Sequence, residues 1–471
     1  MLKLRLPLCL AYAVTPLIVA SASLPSVADE TYKLKSIISL PYGQTLRSFD
    51  ISFVNPRSHR YALATSATAA FPNEGTASNP AIVIVDTLFN MVINEFNPTP
   101  SFAGSCVTSA TAPRNNYGGP NGVIVIEKGR NADIWAGDGP KFSPACQPNS
   151  TNTNVTEYSS VKVMDLYTGA TRAVIPTGGI RRADELCYNP VSDVVLIAND
   201  DPLDNFITFI GEDSYQILQK IYFNGKDPKG NNILANGIEQ CDFNPRDGKF
   251  YINIPNTGAT TLSPAGPGLV LRISGSAPFQ VEAVFPVGMT YPGCYGASGL
   301  KVGPDHQIGL GCSGPPTGVS GTPSALIIDD RNGNAVAGGL LAGENGADEI
   351  WYDPGSNHYF FGISTPGVLG VVDAGPPPSI DSSKTTNIVT TASGSHSVAA
   401  DPIRNQVYVP IRAGSGTVCS SAYDAFGNKG NDALGCIAVY TAPGNYCIPE
   451  GMPIIAVNND GFPIYLKQFC Q

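Results

Sequence analysis

The sequence predicts an all-β fold, a single seven-bladed β-propeller of four-stranded blades. Three observations predict it: the abundance of turn-forming residues, a short segment that recurs along the chain, and the apolar strands that follow each copy. The 50 Gly and 40 Pro make up 90 of the 471 residues, well above the roughly 12% of an average protein. Only 14% of the residues are charged, and so few charged helix formers disfavour a helical bundle or a coiled coil.

The recurring segment starts with a polar residue, continues as an apolar strand and ends with Asn, Asp or Gly before Pro. Its six full copies are DISFVNP, DELCYNP, EQCDFNP, SGLKVGP, DEIWYDP and HSVAADP, and a seventh, NGVIVIE, lacks only the Pro. The leading residues are 71, 63, 55, 59, 50 and 48 positions apart. This spacing fits propeller blades of about 40–50 residues with insertions.

Each copy is followed by a second and a third apolar strand and, in most units, by a fourth. After the first copy these strands are HRYALAT, AIVIVDT and MVINEF. Seven such units predict blades closed into a ring, whereas two jelly rolls or a tandem sandwich would not explain one shared register. The segment KLKSIISL precedes the first copy, and we expect it to close the ring as the outer strand of the last blade.

The N-terminus predicts export. Lys3 and Arg5 precede an apolar run from Leu6 to Ala20 that is too short for a good membrane span, and Ala20-Ser21-Ala22 fits a cleavage site. We therefore expect a signal peptide at 1–22, a secreted, extracellular protein, a propeller at 31–444 and a C-terminal tail at 445–471.

Ten cysteines follow the signal peptide, an even number that suggests disulfides in an exported chain. Proximity in sequence suggests the pairs Cys106–Cys146, Cys294–Cys312, Cys419–Cys436 and Cys447–Cys470, the last of which would staple the tail. Cys187 and Cys241 occupy matching positions of adjacent copies and could form a bridge or remain two buried thiols. Acceptor sequons at Asn149 and Asn154 suggest a glycoprotein.

Charge and motifs exclude several classes of function. The net charge of −10 and the pI near 4.9 give no basic surface for nucleic acid or an anionic membrane, so neither partner is expected. No phosphate-binding loop, His-Glu-x-x-His, Gly-x-Ser-x-Gly elbow or haem-attachment motif occurs in a suitable context. We expect a monomer without an organic cofactor.

The repeat units resemble those of YVTN-type and lactonase-like seven-bladed propellers, many of which are secreted. The resemblance covers almost the whole mature chain and implies the fold. It does not fix a function, because propellers host enzymes and binding modules alike.

The register of the copies predicts a ring of side chains at the mouth of the central channel, where the innermost strands begin. The leading residues of the seven copies are Asp50, Asn121, Asp184, Glu239, Ser298, Asp348 and His396, and the next positions add Glu185, Gln240, Glu349 and Ser397. Because side chains alternate along a strand, we expect one member of each adjacent pair to face the channel and the other the blade interior.

Clustered carboxylates and amides offer the oxygen ligands that Ca²⁺ or Mg²⁺ prefers. The candidate metal ligands are Asp50, Asn121, Asp184, Glu239 and Asp348. Similar constellations bind Ca²⁺ in gluconolactonase, paraoxonase and strictosidine-synthase-like propellers, although those have six blades and different spacing. That resemblance implies a lactonase- or esterase-like hydrolase in which the cation polarises a carbonyl group. Glu185 or Glu349 would be the base and His396 a proton carrier.

Three alternatives stand beside this hypothesis. Arg182 could neutralise Asp184 and Glu185 or hold a substrate carboxylate, which gives a metal-free His-Arg-Glu site resembling that of seven-bladed muconate-lactonizing enzymes. The channel residues could also simply bond water and backbone groups. Finally, the same face could belong to a non-catalytic extracellular binder of a small molecule, a glycan, a peptide or a cell-wall ligand.

Overall fold

The strands form seven four-stranded antiparallel sheets arranged around a central channel. The structure is a computed structural model. It describes residues 32–67, 79–104, 118–129, 131–142, 154–200, 205–226, 232–258, 266–314, 324–342, 346–375 and 385–442, and the pairs 446–447, 456–457, 463–464 and 468–469. The all-β propeller predicted from the repeats is confirmed.

Blades one to three follow the first strand. The first strand is β1 (Lys33–Ile38), and blade one contains β2 (Ser48–Asn55), β3 (Arg60–Ala67), β4 (Ala81–Asp86) and β5 (Met91–Phe96). Blade two contains β6 (Val123–Lys128), β7 (Asn131–Asp138), an inserted hairpin of β8 (Lys141–Phe142) and β9 (Val155–Glu157), β10 (Ser160–Asp165) and β11 (Thr171–Pro176). Blade three contains β12 (Arg182–Asn189), β13 (Val194–Asp200), β14 (Phe206–Gly211) and β15 (Ile217–Tyr222).

Blades four to seven repeat the pattern after a second hairpin. The strands are β16 (Asn224–Lys226) and β17 (Asn232–Leu234) in the hairpin; β18 (Cys241–Asn244), β19 (Lys249–Ile254), β20 (Leu269–Ser274) and β21 (Val281–Phe285) in blade four; β22 (Gly296–Val302), β23 (Gln307–Ser313), β24 (Ser324–Asp329) and β25 (Ala335–Ala342) in blade five; β26 (Ala347–Asp353), β27 (His358–Ile363), β28 (Val368–Asp373) and β29 (Thr385–Thr390) in blade six; and β30 (Ala399–Asp401), β31 (Gln406–Ile411) and β32 (Cys436–Thr441) in blade seven.

Short elements connect the blades and extend the chain. Helix α1 (Val287–Thr290) follows blade four, and single 3₁₀ turns occur at Pro41–Gly43, Pro292–Cys294 and Cys419–Ser421. In the tail, β33 (Tyr446–Cys447) pairs with β36 (Gln468–Phe469), and β34 (Ala456–Val457) pairs with β35 (Pro463–Ile464).

The N-terminal strand closes the ring, as predicted. β1 runs antiparallel to β32 from Lys33 opposite Thr441 to Ile38 opposite Ile437. The last blade is thereby completed from the other end of the chain, so that none of the seven sheets lacks its outer strand. Closure of this kind removes the unpaired edges that invite aggregation.

Hydrophobic packing holds neighbouring blades face to face. The middle strands are continuous apolar runs, and every residue of β4 is buried, whereas the outer strand β15 has no buried residue. The buried side chains of the described residues form seven clusters, and each cluster joins one pair of adjacent blades. Each blade therefore buries both faces and presents only its rims to water.

Three disulfides are present among the described residues. Cys294–Cys312 and Cys419–Cys436 are paired as the sequence suggested. Cys187 and Cys241, for which two readings were open, form a bridge between blades three and four. Disulfides of this number are typical of an oxidising compartment such as the extracellular space. In the described part of the chain, no helix has the length and apolarity to cross a membrane.

Several predictions fall on residues that the structure does not describe. They concern the signal peptide at 1–22, the sequon at Asn149 and the cysteines Cys106, Cys146 and Cys470. These remain predictions.

Candidate functional site

The channel mouth at which the inner strands begin, here called the upper mouth, is organised around Arg182. This arginine is the first residue of β12, and its Nε lies 2.7 Å from Asp184 Oδ2 and 3.2 Å from Asp200 Oδ2. Its two terminal nitrogens reach Asp50 Oδ2 at 3.4 Å and Glu239 Oε1 at 3.9 Å. One guanidinium thus joins carboxylates from blades one, three and four.

β-Bulges explain why so many carboxyl groups converge. In β12 the pairing register shifts between Ala183 and Leu186, so Asp184 and Glu185 together oppose one residue of β13. A similar shift precedes Glu349 in β26. The expectation that only one member of each pair faces the channel is therefore wrong at these blades, because a bulge interrupts strict alternation and turns successive side chains the same way.

A glycine allows the neighbouring strands to approach at this level. Gly122 precedes β6, and a Cβ atom there would lie 1.7 Å from the carbonyl oxygen of Asp184. No side chain fits in that space, so the chain needs glycine where the inner segments of blades two and three touch.

His396 is held as a cation against Asp50. Its Nε2 lies 3.5 Å from Asp50 Oδ1, and its Nδ1 lies 2.9 Å from the Gly394 carbonyl oxygen. Burial alone would lower the pKa of His396, but the hydrogen bond to Asp50 and the charges of Asp348 and Asp50 raise it. The ring also stacks on Phe49 at a centroid distance of 5.1 Å. With both nitrogens engaged, His396 is better placed to hold charge than to accept a proton.

The pKa of Asp50 shifts in the opposite direction to that of His396. Burial would raise the pKa of its carboxyl group, but the hydrogen bond from His396 and the positive charge of Arg182 lower it below its ordinary value. Asp50 is therefore ionised, and it links the two cations of the upper mouth.

Glu185 and Glu349 form a carboxyl pair just below this level. They extend into the channel from blades three and six and are almost fully buried, and neighbouring carboxylates raise the pKa of each. Burial and then the charges of Glu349 and Asp184 raise the pKa of Glu185 well above its usual range. Burial and neighbouring carboxylates raise the pKa of Glu349 in the same way. Two such groups are best satisfied when they share a proton.

Glu349 retains unused hydrogen-bonding capacity. Its Oε2 lies 3.5 Å from the hydroxyl oxygen of Ser397, whereas no described side chain or backbone group donates to its buried Oε1. A buried acceptor without a donor is costly, and a proton on one of the two acids would reduce that cost.

The remaining predicted residues divide into members of the site and structural residues. Glu239 and Asp348 lie in the electrostatic network, where burial and like charge raise the pKa of each carboxyl group. Asn121 is not joined to them by any contact among the described residues, because its side-chain amide donates to the Gly118 carbonyl at 2.7 Å. Gln240 is also structural, since its Oε1 accepts from the backbone of Leu300 and its Nε2 donates to Ile350.

The residues of the upper mouth do not fit a Ca²⁺ or Mg²⁺ ion well. The guanidinium of Arg182 already lies among the oxygen atoms that would coordinate a metal. In the described part of the chain, no group of three or more His, Cys, Asp or Glu side chains has metal-binding geometry.

Asp200 also belongs to this network, although it is not among the leading residues of the recurring segment. It is the last residue of β13, and its Oδ1 also accepts from the Ile238 backbone at 3.3 Å. The available signal was topological: in an antiparallel hairpin, the end of the second strand lies beside the start of the first.

Comparisons with known proteins assign the chain neither a family nor an activity. No protein-family model matches the chain, and no curated protein matches it significantly. Similar solved structures include hydrazine synthase of Kuenenia stuttgartiensis, with a TM-score of 0.49 and 13% identity over 77% of this chain and 92% of that one. The WD40 domain of Neurospora crassa Pan2 has a TM-score of 0.49 and 8% identity over 88% and 97%. A chain of the mitotic checkpoint complex has a TM-score of 0.46 and 10% identity over 91% and 99%. No activity is carried over from these structures.

Proposed function

We propose that the protein is an extracellular binding propeller whose upper mouth takes up a cationic group of its ligand, such as the amine or guanidinium of a small molecule or a peptide. The observation that carries this proposal is the excess of carboxyl groups in the channel. Seven lie in one network, namely Asp50, Asp184, Glu185, Asp200, Glu239, Asp348 and Glu349, and only Arg182 and His396 carry positive charge among them.

The energetics favour a cation over a neutral ligand. Several of these carboxyl groups, including Glu239 and Asp348, have raised pKa values because burial and mutual repulsion oppose their ionisation. A cationic group at the mouth would relieve that repulsion, and the carboxyl groups would release protons as it binds. We therefore expect affinity for a cation to increase with pH while the ligand stays protonated.

Isothermal titration calorimetry with agmatine and spermidine tests this function. The expected result is saturable binding that tightens between pH 6 and pH 8, with proton release measured from the dependence of heat on the buffer. Asp348→Asn should weaken binding about tenfold, a typical loss for one charged contact. Glu282→Gln is the matched control, because Glu282 lies on β21, the outer strand of blade four, where it forms an ion pair with Lys249 of β19. Absence of binding, or equal binding by Asp348→Asn, would refute the proposal.

A lactonase- or esterase-like hydrolase is the second candidate, and the carboxyl pair favours it. In this scheme an ionised member of the Glu185–Glu349 pair accepts a proton from the attacking water. The neutral member protonates the leaving oxygen as the carbon–oxygen bond breaks. Arg182 would orient the acids and His396 would hold charge nearby. The net reaction is addition of water to the ester or lactone.

Activity screening separates the two candidates. A hydrolase should open lactones or cleave simple esters, and Glu349→Gln should abolish that turnover, whereas a non-catalytic binder should show no turnover of either substrate. The Ca²⁺ or Mg²⁺ ion expected for such a hydrolase is a separate question. Elemental analysis of the purified protein, with melting temperatures measured with and without EDTA, answers it.

A further inference from the structure

The lower half of the channel contains a cavity that shares only Glu185 with the carboxyl network of the proposed function. Its volume is about 260 Å³. It extends from Ser52, Glu185 and Gln240 at its inner end to Asp242, Lys301 and Trp351 near the opposite mouth. We call this cavity the lower chamber.

The repeat register explains the composition of the lower chamber. The fourth position of the recurring segment contributes a lining residue in six of the seven copies, and these residues are Phe53, Ile124, Cys187, Asp242, Lys301 and Trp351. This position lies two residues beyond the second position, which contributes Glu185 and Glu349 to the carboxyl network. The lower chamber is therefore formed by side chains from several blades.

Aromatic side chains form one wall. The ring of Phe53 meets the indole of Trp351 edge to face, at a centroid distance of 5.4 Å and an angle of 77°. Tyr188 also lines the cavity, and its hydroxyl group is fixed by Asp193 at 2.7 Å. Aromatic walls with a few fixed polar groups are typical of sites for small organic molecules.

Lys301 supplies a cation at the rim. Its Nζ lies 3.2 Å from Asp242 Oδ1 and 5.0 Å from the centroid of the Trp351 ring. The Asp242 carboxylate is itself held by the backbone N–H groups of Phe243 and Val302, each at 3.0 Å. The lysine is thus anchored by one ion pair, and an ammonium group has three donors.

These contacts discriminate between ligand charges. Lys301 already occupies the aromatic face that a ligand cation would use, so a second cation would meet repulsion there. At the inner end, burial and the neighbouring carboxylates raise the pKa of Glu185, which weakens its opposition to an anion. An anionic group at the rim and an apolar body inside therefore match the chamber.

We propose that the lower chamber binds a small monocarboxylic acid with an aromatic or aliphatic body. The carboxylate would pair with Lys301, and the body would lie against Phe53, Tyr188 and Trp351. The cavity of about 260 Å³ equals about nine water volumes at roughly 30 Å³ each, which limits the ligand to about ten non-hydrogen atoms.

Tryptophan fluorescence tests the proposal with phenylacetate as the probe. Trp351 lines the chamber, whereas the other tryptophan, Trp135, is fully buried in blade two. Phenylacetate should change the emission saturably, and the effect should disappear in Trp351→Phe. Phenylacetamide and phenethylamine, which have nearly the same shape but are neutral and cationic, should bind at least tenfold more weakly.

Variants identify the anchoring charge. Lys301→Gln should weaken phenylacetate binding about tenfold, Lys301→Arg should retain it, and Lys249→Gln should have no effect because Lys249 forms its ion pair on the outside of blade four. Failure of phenylacetate to bind, equal binding by Lys301→Gln, or tighter binding of phenethylamine would overturn the proposal. Asp348→Asn should leave phenylacetate binding intact, so this result is separable from failure of amine binding at the upper mouth.

Discussion

The upper mouth and the lower chamber are made from the same inner strands, yet they have opposite chemistry. The upper mouth uses the first two positions of the recurring segment and gathers carboxyl groups around Arg182. The lower chamber uses the fourth position and gathers aromatic side chains around Lys301. A shift of two positions along the inner strands therefore separates a network of charged side chains from a largely apolar cavity.

The two cations differ in what surrounds them. Arg182 lies within 4 Å of four carboxylates. Lys301 has one carboxylate partner and an aromatic face. We infer from this difference that Arg182 stabilises the folded propeller, whereas Lys301 can bind a ligand. The predictions below test this inference.

The largest effect is expected from Arg182→Gln. Removing the guanidinium takes this cationic partner from Asp184, Asp200 and Glu239, and it leaves Asp50 with His396. We expect a loss of about 3 kcal/mol in the free energy of unfolding at pH 7, at the lower end of the range for one partner of a buried ionic network. Urea unfolding followed by circular dichroism measures it. A loss below about 1 kcal/mol would show that the network does not depend on this cation.

The next effect concerns pH and the Glu185–Glu349 pair. The folded-state pKa of each acid lies above its ordinary value of 4.5 because of burial and like charge. The folded protein therefore binds more protons than the unfolded chain above that pH, and the stability that the pair contributes is lost as pH rises through the folded pKa. Glu349→Gln mimics the protonated acid, so it should raise the free energy of unfolding at pH 8 by about 1–3 kcal/mol.

Denaturation curves at pH 5 and pH 8 check this prediction. The difference between Glu349→Gln and the parent should be larger at pH 8 than at pH 5. The same or a smaller difference at pH 8 would mean that the two acids are not coupled through a proton.

The sequence predicted the ring more fully than it predicted the site. Seven copies in one register located the inner strands, and the closing strand followed from the unit that lacked its outer strand. Asp184, Glu239 and Asp348 were expected near one another on that basis, and charge repulsion from Asp348 raises the pKa of both Asp184 and Glu239. The sequence predicted Arg182 only as a partner of the carboxyl groups of its own blade. Its contacts with Asp50 and Glu239 were not predicted, because they depend on distances across the channel.

Two physical features hid the remainder of the site. A bulge such as that at Asp184 adds a residue to one strand without changing its apolar pattern, so simple alternation did not predict that Asp184 and Glu185 both join the network. The sequence did not single out Phe53 and Trp351, because an aromatic side chain in a strand gives no sign of whether it faces a neighbouring blade or the channel. Reading the fourth position across all copies was the signal that could have revealed the lower chamber.

A smaller effect is expected from His396→Asn. The folded-state pKa of His396 is raised, so its contribution is fully present below the ordinary value of 6.5 and is lost as pH rises through the folded pKa. The substitution should cost about 1 kcal/mol at pH 6 and less at pH 9, since Asp50 loses one of its two cationic partners only while the histidine is charged. Thermal unfolding at the two pH values measures this, and an equal cost at both would assign the loss to packing against Phe49.

The smallest effect on stability is expected from Lys301→Gln, and it completes the comparison. The ion pair with Asp242 is single and partly exposed, and such pairs contribute about 0–1 kcal/mol. Asp242 keeps its two backbone N–H partners in the variant, so its carboxylate is not left unsatisfied. Urea unfolding should therefore show a change below about 1 kcal/mol, roughly a third of that for Arg182→Gln. A loss as large as that of Arg182→Gln would mean that Lys301, too, is a structural cation, and the distinction between the two ends of the channel would fail.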